Sequence, residues 1–585
     1  MIFDNHRVVK PAPDNMNYER PWLKFYGKDT LPNLEYQDKS FYEYLVDSTR
    51  CRPDIAAINF MGRQIKYSEL LSSVDACSKG LYEMGVREGD VFTVCLPNIP
   101  HTIIIFYALN KLGAIVNMIH PLCAPKEIQY AMELTKSKFI ITTDLFYKNL
   151  KVVRHELDVN KIIVCSIPEY LNTVLSIAFW VKAGRKIEKI DYAKDTALVK
   201  WSEMMTTGKG SSAIFKNTKN YKDGAVILYS GGTTGKQKGV LLSTLNLNAM
   251  ALQMVSHQEV DLKDDTKMMC ILPLFHGFGL GVCMHAPIMM GATIVLVPKF
   301  SADDFAKVFA KYKPDYMAGV PTLYEALLRS ETMKNADFTS LKGAFSGGDS
   351  LPESLKHRFD KFIAERGGTN KLQEGYGLTE TVSASCVTPI GHYKSGSVGV
   401  PAPDMLYKIV EPSTENSCDT GVEGEICICG PTVMMEYYNE PEETALVLRK
   451  HSDGRTWLHT GDMGHMDEDG FVFFKLRIKR IIKSSGYSVY PTQIEEVIDK
   501  HEAVNMCCVI GVPDDYQVER ITAVIVLNEG YSPSEELKES ILKLCREYLA
   551  KWSTPRDIDF RDSLPMTKVG KIAYVELEKE YKAKV

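Results

Sequence analysis

Residues 225–239 read AVILYSGGTTGKQKG, and the assignment of the fold turns on this stretch. Ala225 to Tyr229 form an apolar, β-branched run with the length of a short buried strand. Gly231, Gly232 and Gly235 follow, with Thr233, Thr234, Lys236 and Lys238 among and after them. Glycines let backbone N–H groups turn toward an anion, threonine hydroxyls add donors, and lysines add charge. The combination suits a polyphosphate. It is not a Walker A loop, because Gln237 stands six residues after Gly231, where the motif needs its lysine.

Outward from this bend, strand and helix patterns alternate. VFTVCL (92–97), AIVNMI (114–119) and KFIITT (138–143) read as strands; 102–113 and 127–135 read as helices. That alternation predicts parallel α/β layers. A hairpin, INFMGRQIKY, lies within a helical stretch from Ser40 to Gly85, and residues 1–40 are expected to wrap the surface. PDYMAGVP (314–321) and LKGAFSGGDS (341–350) each read as a strand leading into a loop. After 403, MLYKIV, GEICICG and FVFFKLRIKRIIK read as short strands without helices between them, a β-rich region. Residues 480–585 read as a compact α+β unit. The expected fold class is therefore α/β: a large N-terminal domain (1–478) of layered α/β subdomains plus a β-rich subdomain, and a small mobile α+β C-terminal domain (479–585).

Composition narrows the function. At 585 residues, 45% apolar and 24% charged, the chain is an ordinary multidomain globular protein, and its net charge of -5 gives no bulk attraction to nucleic acid. Fourteen scattered cysteines form no C-x-x-C, which predicts free thiols in a reducing cytoplasm rather than disulfides or zinc. The N-terminus lacks the apolar core of a signal peptide. Residues 270–298 hold no Lys, Arg, Asp or Glu, but their prolines, histidines and glycines favour strand, loop, helix and strand over a membrane span. YLNTVLSIAFWVKAGRK (170–186) has two readings: a helix lying on a membrane face, or a capped core helix whose basic end suits its dipole. The core helix is the expectation, with peripheral membrane contact left open.

Further loops carry chemistry-bearing residues: PLFHGFG (273–279), FSGGD (345–349), QEGYGLTE (373–380), WLHTGDMGHMDEDG (457–470), LRIKRIIKSSGYSVYP (476–491) and LPMTKVGK (564–571). Singly, His276 could be a core histidine, Glu380 a helix-terminal acid, Asp462 a turn residue and Lys571 a solvated lysine. In order, GGTTGKQKG, YGLTE, HTGD, LRIK and VGK resemble the adenylate-forming (AMP-binding) superfamily, in particular its acyl-CoA synthetases and among them the medium- and long-chain fatty acyl-CoA ligases. The resemblance runs from about residue 40 onward.

That resemblance implies a ligase that uses ATP and Mg²⁺ to turn a carboxylic acid into an acyl-adenylate, then passes the acyl group to coenzyme A with release of AMP and pyrophosphate. It implies that Gly232, Thr233, Thr234, Gly235 and Lys238 hold the β- and γ-phosphates. Thr379 would meet the α-phosphate, and Glu380 would bind the metal. Gly347, Gly348, Asp349 and Tyr376 would form the adenine slot, Tyr376 stacking on the base. Asp462, with Arg477 nearby, would hold the ribose. Lys571 would bridge the carboxylate and the α-phosphate. Lys479 falls at the family's hinge, and Gly486 would leave room for pantetheine. His276 completes the catalytic set with Lys571, Thr379 and Glu380, and with Met317, Val320 and Pro321 it would wall an apolar acyl channel. Three positions depart from the family: Gln237 for a proline, Leu476 for Gly or Asp, and Val569 for Ser or Thr. LPMTKVGK also leans toward enzymes that load an acyl or aryl group onto a carrier-protein phosphopantetheine, which is the alternative. Two other readings are weaker: a luciferase, which needs a special substrate, and a nucleotide-binding protein without turnover. Oligomeric state is not legible.

Overall fold

The computed structural model describes the chain except residues 1–8, 15, 185, 186, 188, 231–236, 261–264, 299, 300, 478, 479, 481, 485, 486, 490, 515–517, 550–552, 568–570, 584 and 585, and except the side chains of 183, 476, 477, 483, 487, 488 and 518. Among the described residues the strands fall into four sheets. One has eight strands, with Gly224–Ser230 and Lys238–Ser243 as an antiparallel pair beside the parallel strands Ile115–Met118, Val91–Cys95, Phe139–Thr143, Lys161–Cys165 and Leu198–Lys200. A second, of nine strands, has a parallel centre running through Leu372–Gly377, Gly343–Gly347, Tyr316–Gly319, Lys267–Cys270, Thr293–Leu296 and Ala56–Phe60. Their central residues are apolar and buried, as sheets covered on both faces require. The helix Pro100–Leu112, buried at every residue but Lys111, belongs to the same large core as both sheets.

The third sheet is antiparallel: Leu406–Val410, Gly424–Cys429, Thr456–Met466, Leu448–Lys450 and Val472–Arg477. The fourth gathers Tyr487–Val489, Ile482–Ser484, Val518–Leu527, Val504–Asp514 and Asp557–Phe560, with the helices Pro491–Ile498, Glu535–Tyr548 and Tyr574–Lys582. Large layered domain, β-rich part and small C-terminal α/β unit thus appear as the sequence predicts. Residues 270–298 form a strand, a loop, a π-helical turn and helix (Phe278–Met290) and the strand Thr293–Leu296. Among the described residues no helix is long and apolar enough to cross a membrane. Among the described residues no cysteine is joined in a disulfide.

Three expectations need correction. The β-rich region does contain a helix, Pro441–Val447, begun by a proline in its first turn. The first forty residues do more than wrap the surface: Trp22 is buried against Val400 and Phe471, and a Cβ on Gly470 would meet its ring. The largest correction concerns residues 170–186. A helix forms over Thr173–Ala183, and Asn172 caps it by accepting from the Leu175 N–H at 2.9 Å. It is not a core helix, for none of its described side chains is buried. Periodicity reports an apolar face, not whether the fold places anything over it.

Candidate active site

The strands that flank the glycine–threonine bend fix where it begins and ends. Ser230 pairs with Lys238 and Tyr229 with Gly239, so the bend closes an antiparallel hairpin. Gly232, Thr233, Thr234 and Gly235 themselves lie outside the described residues, as do Lys479 and Gly486; Arg477 is described only as backbone, paired with Asp462 across two strands. The Gln237 carbonyl accepts from the Tyr130 hydroxyl at 2.9 Å, which ties down the end of the bend at one of the family departures.

Both strands of this hairpin pack against the turn Thr379–Thr381. Glu380 is buried there, and its Oε1 accepts from the Tyr437 hydroxyl at 2.7 Å. The Lys238 ammonium lies 4.6 Å from the centre of the same Tyr437 ring and pairs with Glu443. Lys238 and Glu380 therefore share one aromatic support. Just beyond the turn, Val382 has a φ of 67°, a strained value for a β-branched residue. Packing holds it: Val382 is fully buried, and a Cβ on Gly277 would fall 1.6 Å from its carbonyl oxygen. The His276 loop and the Glu380 turn are thus in direct backbone contact, which only glycine at 277 permits.

The strand Leu372–Gly377 delivers Tyr376, whose hydroxyl donates to Asp462 Oδ2 at 2.7 Å. This bond joins the nine-stranded sheet to the antiparallel one. Behind Asp462 lies a buried relay: the Gly461 N–H donates to Glu425 Oε1 at 3.0 Å, Glu425 Oε2 meets His459 Nδ1 at 2.9 Å, and His459 Nε2 meets His451 Nε2 at 2.9 Å. The relay braces the strand Thr456–Met466, which carries Asp462 where the sequence suggested a turn. The His459 pairing holds the Glu425 carboxyl below its usual range although burial pushes the other way.

Lys571 arrives from the C-terminal unit. Its turn is closed by its own N–H on Thr567 Oγ1 at 3.0 Å and by the Thr567 N–H on its carbonyl at 2.6 Å. Arg329 of the large domain reaches Asn505 of the small unit at 2.7 Å, so the two are docked. Gly348, at φ 85°, lies directly under the lysine: a Cβ there would stand 3.5 Å from Lys571 Cε, 4.0 Å from its Nζ and 3.6 Å from Val320 Cγ1. Charge and apolar wall therefore meet over one glycine. His276 is pushed down to about 3, by burial first and then by the Lys571 charge, so it is neutral at working pH. Crowding raises the Asp349 carboxyl, with Lys571 opposing.

Met317 and Val320 are buried, and Pro321 opens the next helix. The structure therefore brings together Lys571, Gly348, Asp349, His276 and Val320 at one end, and Lys238, Thr379 and Glu380 at the other, with Tyr376 and Asp462 joined beside them. Sequence reasoning missed four contributors. Tyr437 and Glu443 sit in YYNEPEETA, which has no motif character. Glu425 is a lone acid in a strand. Glu374 lies inside QEGYGLTE but was not singled out; it accepts from the Leu351 N–H at 3.1 Å, and burial raises it to about 8.

Comparison with known proteins gives the family. Residues 45–438 match the AMP-binding enzyme family and residues 493–571 its C-terminal domain. A long-chain-fatty-acid–CoA ligase of Bacillus subtilis (strain 168) is 35% identical over 95% of this chain and 97% of its own. A probable 4-coumarate–CoA ligase 1 of Dictyostelium discoideum is 29% identical over 94% of this chain and 96% of its own. The crystal structure of ATP-bound MatB from Rhodopseudomonas palustris superposes with a TM-score of 0.80 at 24% identity, covering 93% of this chain and 99% of the other. The chain belongs to the AMP-binding enzyme family, among its AMP-forming acyl-CoA ligases.

Proposed function

We propose that this protein activates an apolar carboxylic acid, of the medium- or long-chain fatty class, with ATP and transfers it to coenzyme A. The observation that carries the proposal is the Lys571 ammonium held over Gly348 against Val320 and beside neutral His276. A carboxylate attacking a phosphate must bring two negative groups together, so a cation belongs where they meet. The wall residues Met317, Val320 and Pro321 beside that cation are apolar, which favours a hydrocarbon acid. The 35% identical fatty-acid ligase supports the same class.

In this reading a carboxylate oxygen attacks the α-phosphorus of ATP. The bond to the bridging oxygen breaks, and pyrophosphate leaves. Lys571 and Thr379 steady the charge that builds at the α-phosphate. Gly232, Thr233, Thr234, Gly235 and Lys238 hold the outgoing phosphates. Tyr376, Gly347, Gly348 and Asp349 frame the adenine, and Asp462 with Arg477 takes the ribose hydroxyls. The sulfur of coenzyme A then attacks the acyl carbon, its proton passes to solvent, and AMP departs. Glu380 fits Mg²⁺: it is a single buried carboxylate oriented by a phenol, and Mg²⁺ takes one or two protein carboxylates and fills its shell with phosphate oxygens and water. Bound there, the ion would neutralise phosphate charge. We assign the boundary between large and small units to Lys479, with rotation there exchanging Lys571 for the loop at Gly486 between the two steps.

The test is acid-dependent pyrophosphate release across fatty acids of graded length and aryl acids, with coenzyme A, with a phosphopantetheinyl carrier protein, or with neither. Fastest release with a medium- or long-chain fatty acid, and thioester only with coenzyme A, is expected. A preference for aryl acids overturns the substrate class. Product on the carrier alone overturns the acceptor.

A further inference from the structure

The helix Thr173–Ala183 is built as though something covers it. Val174, Ile177, Ala178 and Val181 follow i, i+3, i+4 and i+7, so they share one stripe about 100° wide. Val174 is 75% exposed, Ile177 61% and Val181 77%; Trp180, beside the stripe, is 47% exposed. Helices shorter than about 12 residues are marginal in water unless an apolar face is packed, and this one has eleven residues, several of them β-branched. The main element against it is the short turn Ile167–Tyr170.

Charge identifies the missing surface. The helix Thr173–Ala183 holds no Asp or Glu, and residues 170–191 contain Lys182, Arg185, Lys186 and Lys189 against Glu188 and Asp191. Lys182 and Lys189 are exposed. A second copy on the same face would bring an equal basic tract with it. An anionic bilayer would neutralise the tract, take the aliphatic stripe below its headgroups and seat Trp180 at the interface, where indole is favoured.

We propose that Thr173–Ala183 docks flat on an anionic lipid surface, Val174, Ile177 and Val181 inserted and Lys182 and Lys189 at the headgroups. The proposal does not depend on the substrate class, and its readouts are binding rather than turnover.

The full chain is sedimented with vesicles of phosphatidylcholine alone or with about one third phosphatidylglycerol, at low and high salt. Anionic vesicles should bind it at least about tenfold more strongly, and salt should reduce the difference. Ile177→Asp with Val181→Asp should lower that binding at least about tenfold. Lys182→Glu with Lys189→Glu should remove the preference for anionic lipid and leave weak binding to both. A lipid brominated near its headgroup should quench tryptophan emission in the wild type more than in Trp180→Phe; Trp22, Trp201 and Trp457 are buried and Trp552 is common to both proteins, so the difference reports Trp180. Any of three results overturns the proposal: no wild-type binding to anionic vesicles, equal binding and quenching in the variants, or a lipid-free dimer that Ile177→Asp dissociates.

Discussion

Two lysines mark the two ends of the site, and they are held in different ways. Lys238 stands on a strand of the eight-stranded sheet, paired with Glu443 and seated against Tyr437, all within the large domain. Lys571 stands on a turn of the small unit and reaches the site only because that unit is docked. Its neighbours there, Gly348, Val320 and neutral His276, belong to the large domain. A lysine built into the sheet can serve every step that needs the phosphates. A lysine carried on a separate unit can be present for one step and absent for another. That difference predicts unequal effects of removing each.

The largest effect should come from Lys571→Ala. Loss of a cation aimed at developing charge costs about 10²- to 10³-fold, and the loss should fall on acid-dependent pyrophosphate exchange. Thioester formation from a supplied acyl-adenylate should stay within about threefold of wild type. If both half-reactions fall together, the two lysines are not different in kind. Lys238→Ala should instead raise the KM for ATP by about 10- to 30-fold, the cost of a lost charge-assisted phosphate contact, and leave use of a supplied acyl-adenylate unchanged.

The contrast can also be sharpened by pH. Glu374 lies behind the Lys571 end, close to Asp349, and burial raises its carboxyl to about 8. Between the usual carboxylate range near pH 4 and about pH 8, the folded chain keeps a proton there that the unfolded chain has lost, so stability falls as pH rises through that window. Glu374→Gln keeps an acceptor for the Leu351 N–H and removes the titration. Unfolding free energies from urea titrations of the variant and wild type should agree at pH 4.5 and diverge by about 2 kcal/mol in the variant's favour at pH 8.5. Equal free energies at both pH values would show that Glu374 titrates normally.

Both lysines were legible in the sequence because each sits in a local motif, GKQKG or VGK. So were the parallel strands, since buried β-branched runs such as FIITT have no other use. What holds Lys238 was not legible: Glu443 is 205 residues away and Tyr437 joins the site through an edge strand of two residues. The relay from Gly461 to His451 was equally hidden, for its members come from two strands and a loop. Two apolar helices make the same point for the fold. Pro100–Leu112 is buried at every residue but Lys111 and none of the described side chains of Thr173–Ala183 is buried, yet both read as apolar helices. Local sequence sets which face is apolar; only the order of neighbouring strands decides whether that face is covered.

The smallest effect should come from Glu443→Gln, and it discriminates because it is small. Glu443 is 43% exposed and Lys238 22%, so their ion pair is worth only about 0–1 kcal/mol. A triphosphate approaching Lys238 must displace or share that carboxylate. Neutralising Glu443 therefore removes a competitor and a weak positioning contact together. The KM for ATP should change by no more than about threefold. The Tyr437 ring, 4.6 Å from the ammonium, still seats the lysine. A rise comparable to that of Lys238→Ala would mean that the pair, not the strand, places the charge. The large domain's lysine would then depend on a single exposed contact, and the distinction between a built-in and a delivered cation would fail at the end where it was expected to be firmest.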